Sequence, residues 1–145
     1  LEGLRNRLIA AIRAYATGEG FGAVCYSGAL YPYWFKDSDG DGTCSTEEAA
    51  FPNRYATWTP RLVRAAYNYQ VSLKDPGAFA HNAKYIIQLL HDATNDIATA
   101  IGQPALIGTS QRNDLGHFNG ASEAARHWDA EEEVNASCSK CHMFT

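Results

Sequence analysis

Apolar residues recur at helical spacing in three stretches of this 145-residue chain. In the first, Leu4, Leu8, Ile12 and Tyr15 fall on one side, with Ile9 and Ala11 beside them. That predicts a helix over residues 1–17, which Gly18 and Gly20 end. The second opens at Thr59-Pro60, an N-cap followed by proline at the first helical position. It predicts a helix over about 60–72, with Leu62, Val63, Ala66 and Tyr69 along one side. Asp75-Pro76 repeats the start signal, and the pattern then runs to Ile101 before Gly102. Phe79, Ile86, Leu90, Ala93, Ile97 and Ile101 share a face of that stretch, which makes it the longest packing element.

Between these stretches the pattern breaks. Residues 21–36 are rich in glycine and aromatics, and they have room for a short strand. Pro32 argues for extended coil or a sheet edge there. Residues 102–120 carry Gly, Pro, Ser and Asn and read as loop. A short helix is expected from about Ser122 to Val134. The fold class is mainly α, one domain over residues 1–145, with long irregular connections.

Composition is that of a globular protein, 46% hydrophobic and 19% charged, with a formal net charge of −4. No Lys/Arg stripe is present, so nucleic acid is not an expected partner. No apolar run is long enough to span a bilayer, and no signal peptide is visible. The chain starts at Leu1 rather than Met and reads as a processed or excised segment.

Cysteine changes the picture most. The end of the chain reads NASCSKCHMFT, in which Cys138, Cys141 and His142 stand as C-x-x-C-H. That is the spacing that attaches a c-type haem. Each thiol adds to one vinyl group, and the next residue, His142, lies under the iron as proximal ligand. A zinc half-site is the weaker reading, because zinc asks for four ligands and no second Cys pair stands at matching spacing.

For the second axial position Met143 adjoins His142 and cannot reach the opposite face, which leaves histidine. His81 and His91 fall away from the apolar face of the long helix. His127 lies on the apolar side of the short helix, with Trp128. His117 follows Gly116, where the backbone can approach a flat ring. The distal role stays open between His117 and His127. Bis-histidine ligation gives a lower potential than His/Met.

Residues 37–48, DSDGDGTCSTEE, fit the calcium loop pattern D-x-[DN]-x-[DN]-G-x5-E. Asp37, Asp39 and Asp41 take positions one, three and five, and Gly42 makes the turn at six. Thr43 offers its carbonyl at seven, Ser45 stands at nine and Glu48 takes the bidentate twelfth position. No good helix leads in, since LYPYWFK is aromatic and holds Pro32. The loop is therefore expected to be EF-hand-like, unpaired and structural in role. Cys25 and Cys44 remain as an even pair. Haem attachment and disulfides both belong outside the cytoplasm, so a periplasmic or extracellular setting and a Cys25–Cys44 bridge are expected. Two buried free thiols are the alternative.

With these residues in hand, the chain resembles a group of bacterial c-type cytochromes, often multihaem, from metal-reducing and related anaerobes. The matching stretches are YPYWFKDSDGDGT, FPNRYATWTPRLVRAAYNYQVSLKDPGAFAHNAKYIIQLL and GHFNGASEAARHWDAEEEVNASCSKCH. The resemblance implies haem c, electron transfer to redox partner proteins and, in some relatives, assembly into filaments. This chain carries one C-x-x-C-H rather than several. The expected function is electron transfer by one bis-histidine haem with a structural calcium site, and not catalysis. The alternatives are a five-coordinate haem enzyme or ligand sensor, and a docking module of a larger multihaem cytochrome.

Overall fold

The computed structural model describes residues 1–78 and 83–111, and the chain divides into two compact units, 1–110 and 111–145. The first unit is a layer of three α-helices joined to a small β-hairpin. Helix α1 spans Glu2–Gly18, strand β1 Val24–Tyr26, strand β2 Trp34–Lys36, helix α2 Pro60–Lys74 and helix α3 Ala83–Ala100. Short 3-10 turns follow at Phe51–Asn53 and Pro104–Ile107.

The helices form where the apolar spacing places them. Leu8, Ile12, Tyr15 and Ala16 of α1 are buried against Leu62, Ala65 and Ala66 of α2 and Ile86, Leu90 and Ile97 of α3. Each helix packs on the other two. Thr59 caps α2 as its sequence promised, its hydroxyl accepting the Leu62 N–H at 3.2 Å with Pro60 at the first position. The same hydroxyl meets the Tyr15 phenol of α1 at 3.3 Å, so the cap also ties two helices.

One expectation shifts. Val63 is 48% exposed and belongs to the outer side of α2. The buried stripe runs through Leu62, Ala65 and Ala66, and Val63 lies one helical step off it. At the Asp75-Pro76 start signal the Asp75 carboxylate accepts the Gly77 N–H at 2.8 Å, and the Ala78 N–H donates to the Asp75 carbonyl at 3.2 Å, the bonds of a helix cap. Phe79, His81 and the helix expected over 122–134 lie outside the described residues.

The stretch over 21–36 is a full hairpin. β1 and β2 pair antiparallel in the register Val24–Lys36, Cys25–Phe35 and Tyr26–Trp34. Pro32 sits in the connection, after a cis Tyr31–Pro32 bond, where it interrupts no ladder. The hairpin lays Val24, Trp34 and Phe35 inward.

Three arginines of α1 fasten the periphery. Arg5 donates to the hydroxyl of Ser72, at 3.1 Å, and to its carbonyl, Arg7 to the Ile107 carbonyl and Arg13 to the Gly42 carbonyl. Each guanidinium reaches a backbone oxygen that no ladder or helix satisfies, so one helix supplies donors to three separate segments. Among the described residues no helix is long and apolar enough to cross a membrane.

Candidate metal site

Strand β2 ends at Lys36, and the acidic loop begins on the next residue. Its entrance is set by the sheet: the Asp37 N–H donates to the Ala23 carbonyl at 3.1 Å, which extends the hairpin pairing by one step. The chain then turns on its own carboxylates. Asp37 accepts the N–H groups of Gly40 at 2.7 Å and Gly42 at 2.8 Å, one on each oxygen. Asp39 accepts from Asp41 at 3.1 Å, and Asp41 from Thr43 at 2.6 Å. These are successive Asx turns, the local structure that Asp at alternate positions favours. Gly40 and Gly42 both take positive φ, 75° and 81°, which glycine permits at little cost.

Glu48 closes the loop. Its carboxylate accepts the Ser38 N–H at 2.5 Å and the Ser45 N–H at 3.0 Å, while its own N–H donates to the Ser45 hydroxyl at 3.2 Å. The Ser45–Glu48 exchange is a capping box, and the S-x-x-E spacing that signals it was legible in STEE. The backbone N–H of Ser45, then that of Ser38, holds the Glu48 carboxyl below its ordinary value of 4.5. Its stabilising contribution is therefore complete above that value, and it is lost as pH falls through the lowered one.

The three ends of this arrangement converge. Asp37, Asp39 and Glu48 each offer a carboxylate oxygen, and the three lie within 4.8 Å of one another. Asp37 and Glu48 are only 7% exposed. An all-oxygen, doubly buried carboxylate set fits a hard divalent cation. Each oxygen that accepts a backbone N–H keeps a second lone pair for an ion. Asp41 stays exposed and outside this trio, with Thr43 and Ser45 bound into the loop backbone.

Three ties from outside the loop hold it in place. Cys25 and Cys44 are bonded, with Cα atoms 5.3 Å apart, so position eight of the loop is fixed to β1. The Asn53 carboxamide donates to the carbonyls of Lys36 at 2.8 Å and Glu48 at 3.0 Å, and so bridges the loop's entrance and exit. Two facing acceptors fix which edge of the amide points inward. Arg13 holds the middle through Gly42. Only the disulfide had a sequence signal, the leftover cysteine pair. Asn53 and Arg13 come from distant segments with no motif around them.

The expected haem residues, Cys138, Cys141, His142, His117 and His127, lie outside the described residues. His91 is described, and it is half-buried. Its Nδ1 lies 3.3 Å from the Ser110 hydroxyl, which donates to the Ile107 carbonyl at 2.7 Å.

The chain is similar to the C-type polyheme cytochrome OmcB of Geobacter sulfurreducens, with 26% identity over 108 residues. That alignment covers 63% of this chain and 14% of the relative. The C-type polyheme cytochrome OmcC of the same organism matches to the same extent. The chain thus spans about one seventh of the length of these relatives. No family model matches, and no solved structure does. The similarity supports a relation to multihaem cytochromes.

Proposed function

We propose that this chain transfers electrons through one covalently attached c-type haem and carries a calcium ion as a structural fastener. The observation that carries the first half is the C-x-x-C-H of Cys138, Cys141 and His142 in a chain similar to polyheme cytochromes. Its donor set suits haem c: two thiols at vinyl spacing and an imidazole directly after them. Bound there, haem supplies a reversible one-electron couple at iron. The chain's own residues do the rest. Cys138 and Cys141 would hold the ring by thioethers, and His142 with His117 or His127 would supply the iron's protein ligands. Two imidazole ligands would leave no substrate position at the metal and would give a low potential.

Asp37, Asp39, Asp41, Thr43, Ser45 and Glu48 would hold the calcium. Asp37, Asp39 and Glu48 already face one point, which supports that reading. The ion would neutralise carboxylates that otherwise repel one another and would join the hairpin to the segment around Asn53. A strand leads into the loop where a sensor hand has a helix, so the arrangement suits a fixed joint rather than a switch.

A second reading shares the chemistry but changes the setting: the chain as one module of a larger multihaem cytochrome, docked to other redox units. The similarity to polyheme cytochromes supports that reading. Either setting places the protein in the periplasm or outside the cell, where haem c is attached.

The test is the visible spectrum of the purified protein, oxidised, reduced and under CO. Sharp low-spin bands that CO leaves in place are expected. A high-spin spectrum that shifts with CO would overturn bis-histidine ligation and favour an open-iron enzyme or sensor. His117→Ala and His127→Ala then assign the distal ligand. If both variants keep a six-coordinate low-spin spectrum, neither histidine is the ligand.

A further inference from the structure

The loop's weakest ligand, on chemical grounds, is the position-seven carbonyl. A carboxylate is recruited by its charge, but a peptide oxygen must be aimed by its backbone. In this protein Thr43 occupies that position, and both of its flanks are pinned from elsewhere in the fold. The peptide before it, Gly42–Thr43, is held at both ends. Its carbonyl accepts from Nη2 of Arg13, and its N–H donates to the Asp41 carboxylate at 2.6 Å. The residue after it, Cys44, is bonded to Cys25, which is fully buried in β1. Because peptides are planar, only φ and ψ of Thr43 and φ of Cys44 remain free between the two anchors.

Arg13 lies on α1, 29 residues from Gly42, and its guanidinium is packed against that glycine. A Cβ on Gly42 would stand 2.9 Å from Nη1 and 3.5 Å from Nε. Among the described residues the buried Nε–H meets no hydrogen-bond acceptor. A buried donor left unmatched is costly. Once an ion is bound, the charge of Arg13 opposes it, because like charges repel.

We infer that Arg13 is a positioning residue for the calcium loop: from α1 it orients the Gly42–Thr43 peptide so that the Thr43 carbonyl is preset for the ion. The inference rests on the calcium reading of residues 37–48 and deepens it. Charge and positioning predict opposite signs, which makes the idea decidable. Removing a mere positive charge strengthens calcium binding. Removing an orienting group weakens it, as loss of an outer partner of a metal ligand does.

The experiment is a calorimetric titration of calcium into the full chain stripped with chelator, for the wild type, Arg13→Met and Arg13→Lys. Arg13→Met is expected to bind calcium roughly 10- to 100-fold more weakly than the wild type. Arg13→Lys keeps a donor without the planar fork and is expected to recover part of that loss. An Arg13→Met protein that binds as tightly as the wild type, or more tightly, would overturn the inference, as would a lysine variant weaker than the methionine one. Melting in excess chelator separates a packing role. A lowered chelator melting temperature with calcium affinity unchanged would assign Arg13 to packing alone and also overturn it. A wild-type chain that takes up no calcium would instead sink the calcium reading itself, so the two failures are distinguishable.

Discussion

The three-helix layer and the segment from β1 to Asn53 are built on opposite principles. In the helices, buried apolar side chains such as Leu8, Leu62, Leu90 and Ile97 do the holding, and apart from the Arg13 Nε–H the buried polar groups are few and locally satisfied. Thr94 donates to the Leu90 carbonyl one turn back at 2.7 Å, and Ser72 to the Tyr69 carbonyl at 2.7 Å. In the hairpin and loop, only Val24, Cys25, Trp34 and Phe35 are buried apolar residues. The twelve-residue loop contributes almost none, and a covalent bond, carboxylate turns and the ties from Arg13 and Asn53 hold it instead. Apolar packing needs only the right side of a helix. Polar anchoring needs particular atoms from particular distant residues. The first kind of region should lose stability without losing ion binding, and the second should lose both together.

That contrast can be broken at graded cost. Leu90→Ala leaves a cavity among all three helices and is expected to destabilise by roughly 2–5 kcal/mol in denaturant unfolding, with calcium affinity unchanged. An altered affinity would show that the two regions are not separable. Removing the Cys25–Cys44 bridge, as the double Cys→Ala variant, frees a 19-residue span. It should cost about 3 kcal/mol, and here calcium affinity should fall too. Chelator unfolding curves of wild type and variant, compared with calcium-loaded ones, separate the two effects. Thr59→Ala removes the α2 cap and its contact with Tyr15, for about 1 kcal/mol and no change in ion binding.

The smallest effect is alkaline. Burial raises the phenols of Tyr26, Tyr55 and Tyr69 above their ordinary value of 10.0, and neighbouring phenols add to this at Tyr26 and Tyr55. A raised folded pKa means that the native state holds the proton longer than the unfolded one. Stability from these rings is therefore complete below pH 10 and falls as pH rises beyond it. Tyrosinate absorbance followed beside melting temperature checks this: phenols that titrate at the ordinary value with no loss of melting temperature would contradict it.

Much of this was legible in advance for local reasons. Helical periodicity gave α1 and α2 nearly to the residue, and Thr59-Pro60 gave a start because cap chemistry is contained in three consecutive residues. The acidic loop was legible because its turns are made by its own Asp side chains. Periodicity failed at Val63, where a helix with apolar residues on two adjacent rows does not reveal which row meets the neighbour. The hairpin was half seen, because a strand's pairing depends on a partner that its own sequence does not name.

The chain's sequence alone determined the elements and the chemistry on offer: three helices, a carboxylate loop at calcium spacing and a C-x-x-C-H at haem spacing. Each of these is a short-range pattern, set by the periods of the backbone and by side chains a few residues apart. Beyond the cysteine pair, the tertiary structure alone decided what secures the loop. Arg13 and Asn53 converge on residues 36–48 from a helix and a 3-10 turn. No local pattern encodes such a meeting, because it exists only once the hydrophobic layer has fixed where those segments lie.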